Sequence, residues 1–309
     1  MKHAIICVVG PTASGKTKLA IELAKACNGE VLSCDSMQIY RRMDIGTAKP
    51  TPEETEGIPH HMIDVVEPEE SFSVSRYVEM ADPILQDILS RGKTCIICGG
   101  TGLYVDSLIA GRTFAPYPET GKRQELEQLA REQGIGAVMA ILKEHDPESA
   151  ARIDPANQKR VIRAAEVWLE TGKTITQHNL ETQAVPPKYD PLWIGLDFAD
   201  RAELYARIDR RVDLMVQAGL LPEIKGLLAE GLPATATSLQ AIGYKEPMAA
   251  LRGEMTMEEA VEKIKTESRR YAKRQLTWFR RNEKIHWIYN REPVRFADIW
   301  QQAVRILDN

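Results

Sequence analysis

Ala4-Ile-Ile-Cys-Val-Val9-Gly10-Pro-Thr-Ala-Ser-Gly15-Lys16-Thr17 decides the fold. The stretch 4–9 is apolar throughout, as expected of a strand covered on both faces, the kind that parallel sheets contain. Residues 10–17 match G-x-x-x-x-G-K-[ST], the pattern of a phosphate-binding loop, and an amphipathic helix to about residue 27 follows. Glycines let backbone N–H groups turn inward onto phosphate oxygens, and the helix N-terminus adds partial positive charge. In this setting Lys16 neutralises a terminal phosphate and Thr17 offers its hydroxyl to Mg²⁺. Strand, phosphate loop and helix in that order predict an α/β domain with a parallel sheet.

The alternation continues outward. Strands are predicted at 30–34, 61–66 and 93–98. A helix over 73–91 is capped by Ser71 or Ser73, stopped by Gly92 and expected to kink at Pro83. Gly99-Gly-Thr-Gly102 opens another helix to about residue 110. After Gly111 the pattern changes. The stretch 114–120 contains Pro116 and Pro118 and reads as a linker, and 121–172 reads as helices without a convincing strand. The stretch 185–191, with Pro186, Pro187 and Pro191, reads as a second linker. A returning strand at 193–196 precedes a remainder that reads as mostly helical. The expected organisation is an α/β core of 1–112 and 192–309, interrupted by a helical insertion at 113–191.

Composition bounds the function. A chain of 309 residues suits roughly two domains. With 43% hydrophobic and 27% charged residues, wholesale disorder is excluded. No apolar run reaches the length of a membrane span, and 4–9 is too short for a signal-peptide core, so neither membrane insertion nor secretion is expected. Five cysteines, an odd number in a large chain, fit reduced cytoplasmic thiols better than a disulfide framework. The net charge of −4 hides an asymmetry: 263–284 holds nine Lys or Arg against two acids, a net +7, which leaves −11 elsewhere. A dense basic segment on an acidic chain predicts a localised anionic partner.

Several residues carry candidate chemistry. The strand at 93–98 ends in Gly-Gly-Thr, without the carboxylate that usually holds Mg²⁺ in hydrolysing NTPases. The loop therefore suits a diphosphate that leaves better than one that powers movement. Asp35 follows the second strand, where it either faces the phosphate loop at the sheet's carboxyl edge or serves as a turn residue. The stretch 44–50, with Lys49, is undecided. Arg211 falls on the edge of the apolar stripe of Leu204, Ile208, Val212 and Met215, with Arg207 further round. Each arginine awaits either an anionic ligand or a structural ion pair. In 269–281 basic residues alternate with Tyr271, Trp278 and Phe279, which suits either an RNA backbone with stacked bases or a solvated helix face. Asn157-Gln-Lys-Arg160 and Arg163 form a smaller basic cluster. Cys95 and Cys98 have zinc-like spacing but lie in an apolar strand and read as buried thiols, and His60-His61 stays unassigned.

Together these pieces resemble the bacterial form of the tRNA dimethylallyltransferase (tRNA isopentenyltransferase) family. The resemblance rests on Gly-Pro-Thr-Ala-Ser-Gly-Lys-Thr from Gly10, Asp-Ser-Met-Gln-Ile-Tyr from Asp35 and Asp-Ile-Gly-Thr-Ala-Lys-Pro from Asp44. It continues through Gly-Gly-Thr-Gly-Leu-Tyr from Gly99, Arg-Ile-Asp-Arg-Arg-Val from Arg207, Gln-Ala-Ile-Gly-Tyr-Lys from Gln240 and Lys-Arg-Gln-Leu-Thr-Trp-Phe-Arg from Lys273.

The resemblance implies a P-loop NTPase-like core. It also implies transfer of a dimethylallyl group from dimethylallyl diphosphate to N6 of the adenosine 3′ of the tRNA anticodon. Mg²⁺ is the implied cofactor, the anticodon stem-loop the implied partner, and a cytoplasmic monomer the expected state. Asp35 would be the general base, with Thr101 beside it in the catalytic site. Gly10, Pro11, Thr12, Ala13, Ser14, Gly15, Lys16 and Thr17 would hold the diphosphate with Arg211 and Arg207, and Thr17 would also hold Mg²⁺. Asp35, Ser36, Met37, Gln38 and Thr101 would contact the flipped adenosine. Arg123, Gln158, Lys159, Arg160, Val161, Ile162, Gln240, Gly243, Lys245, Lys273, Arg274, Gln275, Trp278 and Arg280 would hold the rest of the tRNA. Eukaryotic relatives add a C-terminal zinc finger; none is expected here. The competing reading is a P-loop kinase of a small metabolite with ATP in the loop, which leaves the basic aromatic helix and the insertion without a purpose.

Overall fold

Apolar side chains on both faces leave Ile5–Val9 (β1) no solvent side, and all five residues are buried. In a computed structural model, which describes residues 3–112, 120–183 and 186–308, β1 lies inside a six-stranded sheet. Lys16–Ala26 (α1) follows the phosphate loop, then Gly29–Ser33 (β2) and a short helix Pro52–Thr55 (α2). His60–His61 (β3) is far shorter than the strand expected at 61–66. Met62 and Asp64 adopt positive φ of 61° and 54°, which breaks the extended run, and Val66 keeps only an isolated bridge to Tyr40. Val74–Ser90 (α3) starts where the Ser73 hydroxyl accepts from the Arg76 N–H and contains Pro83. Thr94–Gly99 (β4) and Gly102–Ala110 (α4) complete the first half.

The chain forms two compact units, Met1–Gly111 with Lys188–Asn309, and Arg112–Pro187. The second unit contains Lys122–Gln133 (α5), Ile135–His145 (α6), Pro147–Arg152 (α7), Gln158–Thr171 (α8) and Ile175–Gln183 (α9). Leu126, Val138, Leu142, Val161 and Ala165 pack at its centre. Of the linker expected at 114–120, residues 114–119 lie outside the described residues, as does Val185 of the second linker. Residues 188–191 belong to the first unit instead of the insertion. The Tyr189 N–H donates to Ile109 O at 3.1 Å, and Lys188 and the Tyr189 hydroxyl both reach the Asp82 carboxylate.

The first unit resumes with Leu192–Phe198 (β5), Arg201–Gln217 (α10), Leu220–Ala229 (α11), Lys245–Leu251 (α12) and Met257–Phe279 (α13). It ends with His286–Asn290 (β6) and Phe296–Asp308 (α14). The remainder is mostly helical, as expected, but β6 adds a strand that the sequence reading did not place. It pairs in parallel with β5 at the sheet's edge and buries Ile288 and Asn290 while leaving His286 and Tyr289 exposed. The order β3-β2-β4-β1-β5-β6 is parallel throughout, so the segments after β1, β2 and β4 meet at one carboxyl edge.

Candidate functional site

The phosphate loop is held from behind and open in front. Gly15 caps α1 at φ 91° with no side-chain cap, so the first N–H groups of the helix stay unclaimed by side chains. Behind the loop, the Thr12 N–H donates to Gln275 Oε1 at 2.9 Å, Arg207 Nε donates to Ala13 O at 3.1 Å, and Asn290 Nδ2 donates to Ser14 O at 3.2 Å. Lys16 Nζ donates to Pro11 O at 2.6 Å, curled against its own loop. Burial lowers its pKa to about 8; the charge of Arg211 adds to this, while Cys98 and Asp35 oppose it.

The two arginines differ. Arg207 is bonded to Ala13 O and ion-paired with Glu292 at 2.9 Å. Arg211 donates to the Thr12 hydroxyl at 3.2 Å, and among the described residues no carboxylate pairs with it. Burial lowers its pKa, with Asp35 and Glu54 acting the other way. A guanidinium in that position calls for an anion.

Asp35 reaches the loop across a gap. The sheet order places β4 between β1 and β2, so the two carboxyl ends are not adjacent. The Gly-Gly pair that ends β4 lets its neighbours pack directly on the backbone. A Cβ on Gly99 would collide with Cys34 O, and one on Gly100 with the Gln275 amide. The missing carboxylate at this strand end thus has a steric reason. Asp35 Oδ1 accepts the Met37 N–H at 2.8 Å, which fixes the turn. Thr101 is the N-cap of α4 without a side-chain capping bond; its hydroxyl instead accepts the Ser36 N–H at 3.1 Å and ties the ends of β4 and β2 together.

Three cavities meet here. A narrow one, lined by Lys16, Thr17, Ser33, Asp35, Gln38, Cys98 and Arg211, joins the loop to Asp35. A second, of about 330 Å³, extends from Thr12 and Asp35 between Met37, Ile208, Met215, Gln240, Ile242, Gly243, Tyr271 and Arg274. A third opens on the other side of the loop at Lys16, Thr17, Arg207 and Arg210. Arg211 borders all three. Phosphate, apolar group and base-sized ligand therefore have contiguous places around one carboxylate.

The remaining expected site residues separate by face. On α13, Ile264, Ser268, Tyr271 and Arg274 line the second cavity at helical spacing. Lys273 is exposed, whereas Arg280 donates to the buried Asp197 at 2.8 Å. Gln275 is a correction. It is 5% exposed and its amide is taken up by Thr12 and Gly100, so it is not available to an RNA ligand. Trp278 donates its indole N–H to Asp106 at 2.8 Å, with Arg281 over its ring.

On α8, Gln158, Lys159 and Arg160 are exposed, but Val161 and Ile162 are buried in the core of their unit. Their side chains cannot meet RNA. The expectation gave one role to a helical run whose side chains point several ways. Arg123 is exposed and bonded to Glu127, and Lys245 is half-buried with its Nζ 3.7 Å from Glu246.

The undecided stretch 44–50 is structural. Lys49 donates to Tyr40 O and to the Asp44 and Asp64 carboxylates, and Glu223 accepts the N–H groups of Asp44, Ile45 and Gly46. Glu223 and Asn290 escaped sequence reasoning; the period-two pattern of 286–290 was the one available signal. Tyr271, expected only as one of the aromatics interleaved with the basic residues of α13, lines the second cavity. Its hydroxyl pKa is raised to about 12 by burial and then by Asp35. Cys95 and Cys98 are free and buried, and His61 bonds Glu30 at 2.8 Å. Among the described residues no group of three His, Cys, Asp or Glu could hold a metal, and no helix is long and apolar enough to cross a membrane.

Comparison with known proteins agrees with this geometry. The family model described as IPP transferase matches residues 38–282, and that described as isopentenyl transferase matches 3–67. A tRNA dimethylallyltransferase of Acetivibrio thermocellus is 50% identical over 285 residues, covering 92% of this chain and 91% of that protein. One from Thermoanaerobacter sp. is 45% identical over 305 residues, covering 98% and 97%. Among solved structures, the full-length tRNA isopentenylpyrophosphate transferase of Bacillus halodurans superimposes with a TM-score of 0.72 at 42% identity, covering 99% of this chain and 97% of that one. A eukaryotic dimethylallyltransferase caught acting on tRNA gives 0.83 at 30% identity, covering 98% and 78%.

Proposed function

The chain belongs to the IPP transferase family of tRNA dimethylallyltransferases, prenyltransferases that modify tRNA, and on that premise we propose a donor, an acceptor atom and a base. The donor is dimethylallyl diphosphate, and the acceptor is N6 of the adenosine 3′ of the anticodon. One observation carries the reading: Lys16, Arg211 and Asp35 line one cavity, and among the described residues no carboxylate pairs with Arg211.

The chemistry follows from the geometry. As the C1–O bond of the allylic diphosphate breaks, its electron pair leaves with the diphosphate. Lys16, Arg211 and the N–H groups of α1 stabilise that charge. N6 forms the new bond to C1, and Asp35 accepts the proton that N6 gives up. Met37, Ile208, Met215 and Ile242 offer the second cavity an apolar wall that limits water around the allylic carbon.

Mg²⁺ suits the donor set. Thr17 lines the cavity beside the phosphate loop and would hold the ion, since Mg²⁺ at phosphate sites takes one or two protein oxygens with the rest from phosphate and water. When bound, it would further neutralise the diphosphate. The adenosine would leave its stack to reach Asp35, at a cost of a few kcal/mol. Exposed Lys273 and Arg274 on α13, and Gln158, Lys159 and Arg160 on α8, would take phosphates. Five free cysteines fit a cytoplasmic enzyme.

The test is Asp35→Asn, which keeps the size and one hydrogen bond but cannot serve as the base. Single-turnover transfer should fall by roughly 10²- to 10⁴-fold, with diphosphate and tRNA affinities little changed. A rate within about threefold of the parent would make Asp35 a turn residue only. Collapse of diphosphate binding would instead assign it to the metal.

A further inference from the structure

Transfer between two bound groups needs the leaving group and the acceptor held to within about half an ångström of the productive distance. The strands alone do not join them directly, because the diphosphate loop follows β1 and the Asp35 shelf follows β2, with β4 between. The shelf is well tied to β4. The Cys34 N–H donates to Cys98 O at 2.8 Å, the Thr101 N–H to Cys34 O at 3.2 Å, and the Ser36 N–H to the Thr101 hydroxyl at 3.1 Å. The segment 98–101 and the segment 34–36 therefore behave as one piece.

The β1–β4 ladder brings the start of the loop to that piece, with Val9 beside Gly99, and beyond the ladder, among the described residues, one side chain ties the loop itself to it. Gln275 Oε1 accepts the Thr12 N–H at 2.9 Å while its Nε2 donates to Gly100 O at 3.0 Å. The side chain is 5% exposed. The primary amide offers an acceptor to the loop and a donor to the strand end at once. Gly100 must lack a Cβ for the amide to sit there. Gln275 also lies on α13 between Arg274, which lines the second cavity, and the buried Leu276. The helix that presents basic residues outward thus reaches the phosphate loop inward.

We propose that Gln275 is a positioning residue that fixes the phosphate loop to the Asp35 shelf, setting the distance between leaving group and acceptor, and that it makes no contact with RNA. The proposal rests on the function assigned above for its rate, but not for its effect on the loop. A glutamate at 275 would turn an oxygen toward Gly100 O and bring negative charge beside the diphosphate. A methionine would fill the space and leave both polar partners without their bonds.

The test compares Gln275→Met, Gln275→Glu and Gly100→Ala, the last pushing on the same contact from the other side. Four quantities are measured on the full chain: inorganic diphosphate affinity, affinity for an anticodon stem-loop RNA, single-turnover transfer with both substrates saturating, and the thermal midpoint. For Gln275→Met and Gly100→Ala the saturated rate should fall by about 10²-fold. Diphosphate affinity should weaken by up to about tenfold, with RNA affinity within about twofold. Gln275→Glu should bind diphosphate more weakly than Gln275→Met. The proposal is overturned by weakened RNA binding with an unchanged saturated rate. It is equally overturned by a rate loss matching the unfolded fraction at the assay temperature. A parent protein that transfers nothing to RNA would count against the function, while the diphosphate arm would still decide the role of Gln275.

Discussion

The phosphate loop and α13 are both rich in expected site residues, yet they carry function in opposite ways. In residues 10–17 nearly every position acts through the backbone, so adjacency in sequence is adjacency at the ligand. In α13 neighbours diverge: Gln275 points into the core, Arg274 into a cavity and Lys273 to solvent. A motif in a loop transfers as a block; a motif on a helix has to be divided by face before any role is assigned.

The largest effect that sharpens this contrast concerns the arginines of α10. Arg211→Ala should weaken diphosphate binding by about 10²-fold, because among the described residues no carboxylate already neutralises that guanidinium. Arg207→Ala should cost much less, since that side chain is already bonded to Ala13 O and Glu292. Equilibrium binding of inorganic diphosphate to each variant decides it, and equal losses would break the distinction.

A second, smaller effect depends on pH. Burial holds the Lys16 pKa down at about 8, and a bound anion favours the protonated form. Diphosphate affinity should therefore fall as pH rises above about 8, with proton uptake on binding detectable by calorimetry in buffers of different ionisation enthalpy. A flat profile from pH 7 to about 9 would remove Lys16 from the contact.

The smallest effects lie on the outer faces. Neutralising Lys273 or Arg274 should reduce the salt slope of tRNA binding by about one unit each. Val161→Ala, two positions beyond the exposed Lys159, should lower stability by about 1–2 kcal/mol and leave the slope unchanged. A slope change for Val161→Ala would mean that the run 158–162 acts as a block after all.

What was legible in the sequence follows the same division. β1, the phosphate loop, β2, β4 and the start of α4 were readable because glycines and uniform apolar runs leave few alternatives. β6 was missed because five residues with one covered face give a weak signal beside a strongly charged helix. The overlong β3 arose because positive φ at Met62 and Asp64 has no signature in non-glycine residues. Lys49 gave no local sign of its role, since its carboxylate partners are set by how the chain folds back. Gly99 and Gly100 show in the sequence only as a missing carboxylate; the reason, the close approach of Cys34 and Gln275, is a property of the fold.

One measurement reaches the centre of this account: supply the protein with isotopically labelled dimethylallyl diphosphate or γ-labelled ATP, each with bulk tRNA and a panel of small hydroxylic acceptors. The expected result is label from the dimethylallyl donor in RNA, on adenosine N6 after nuclease digestion, with release of diphosphate and no transfer from ATP. Phosphoryl transfer from ATP to a small acceptor, with none from the allylic donor to RNA, would contradict it.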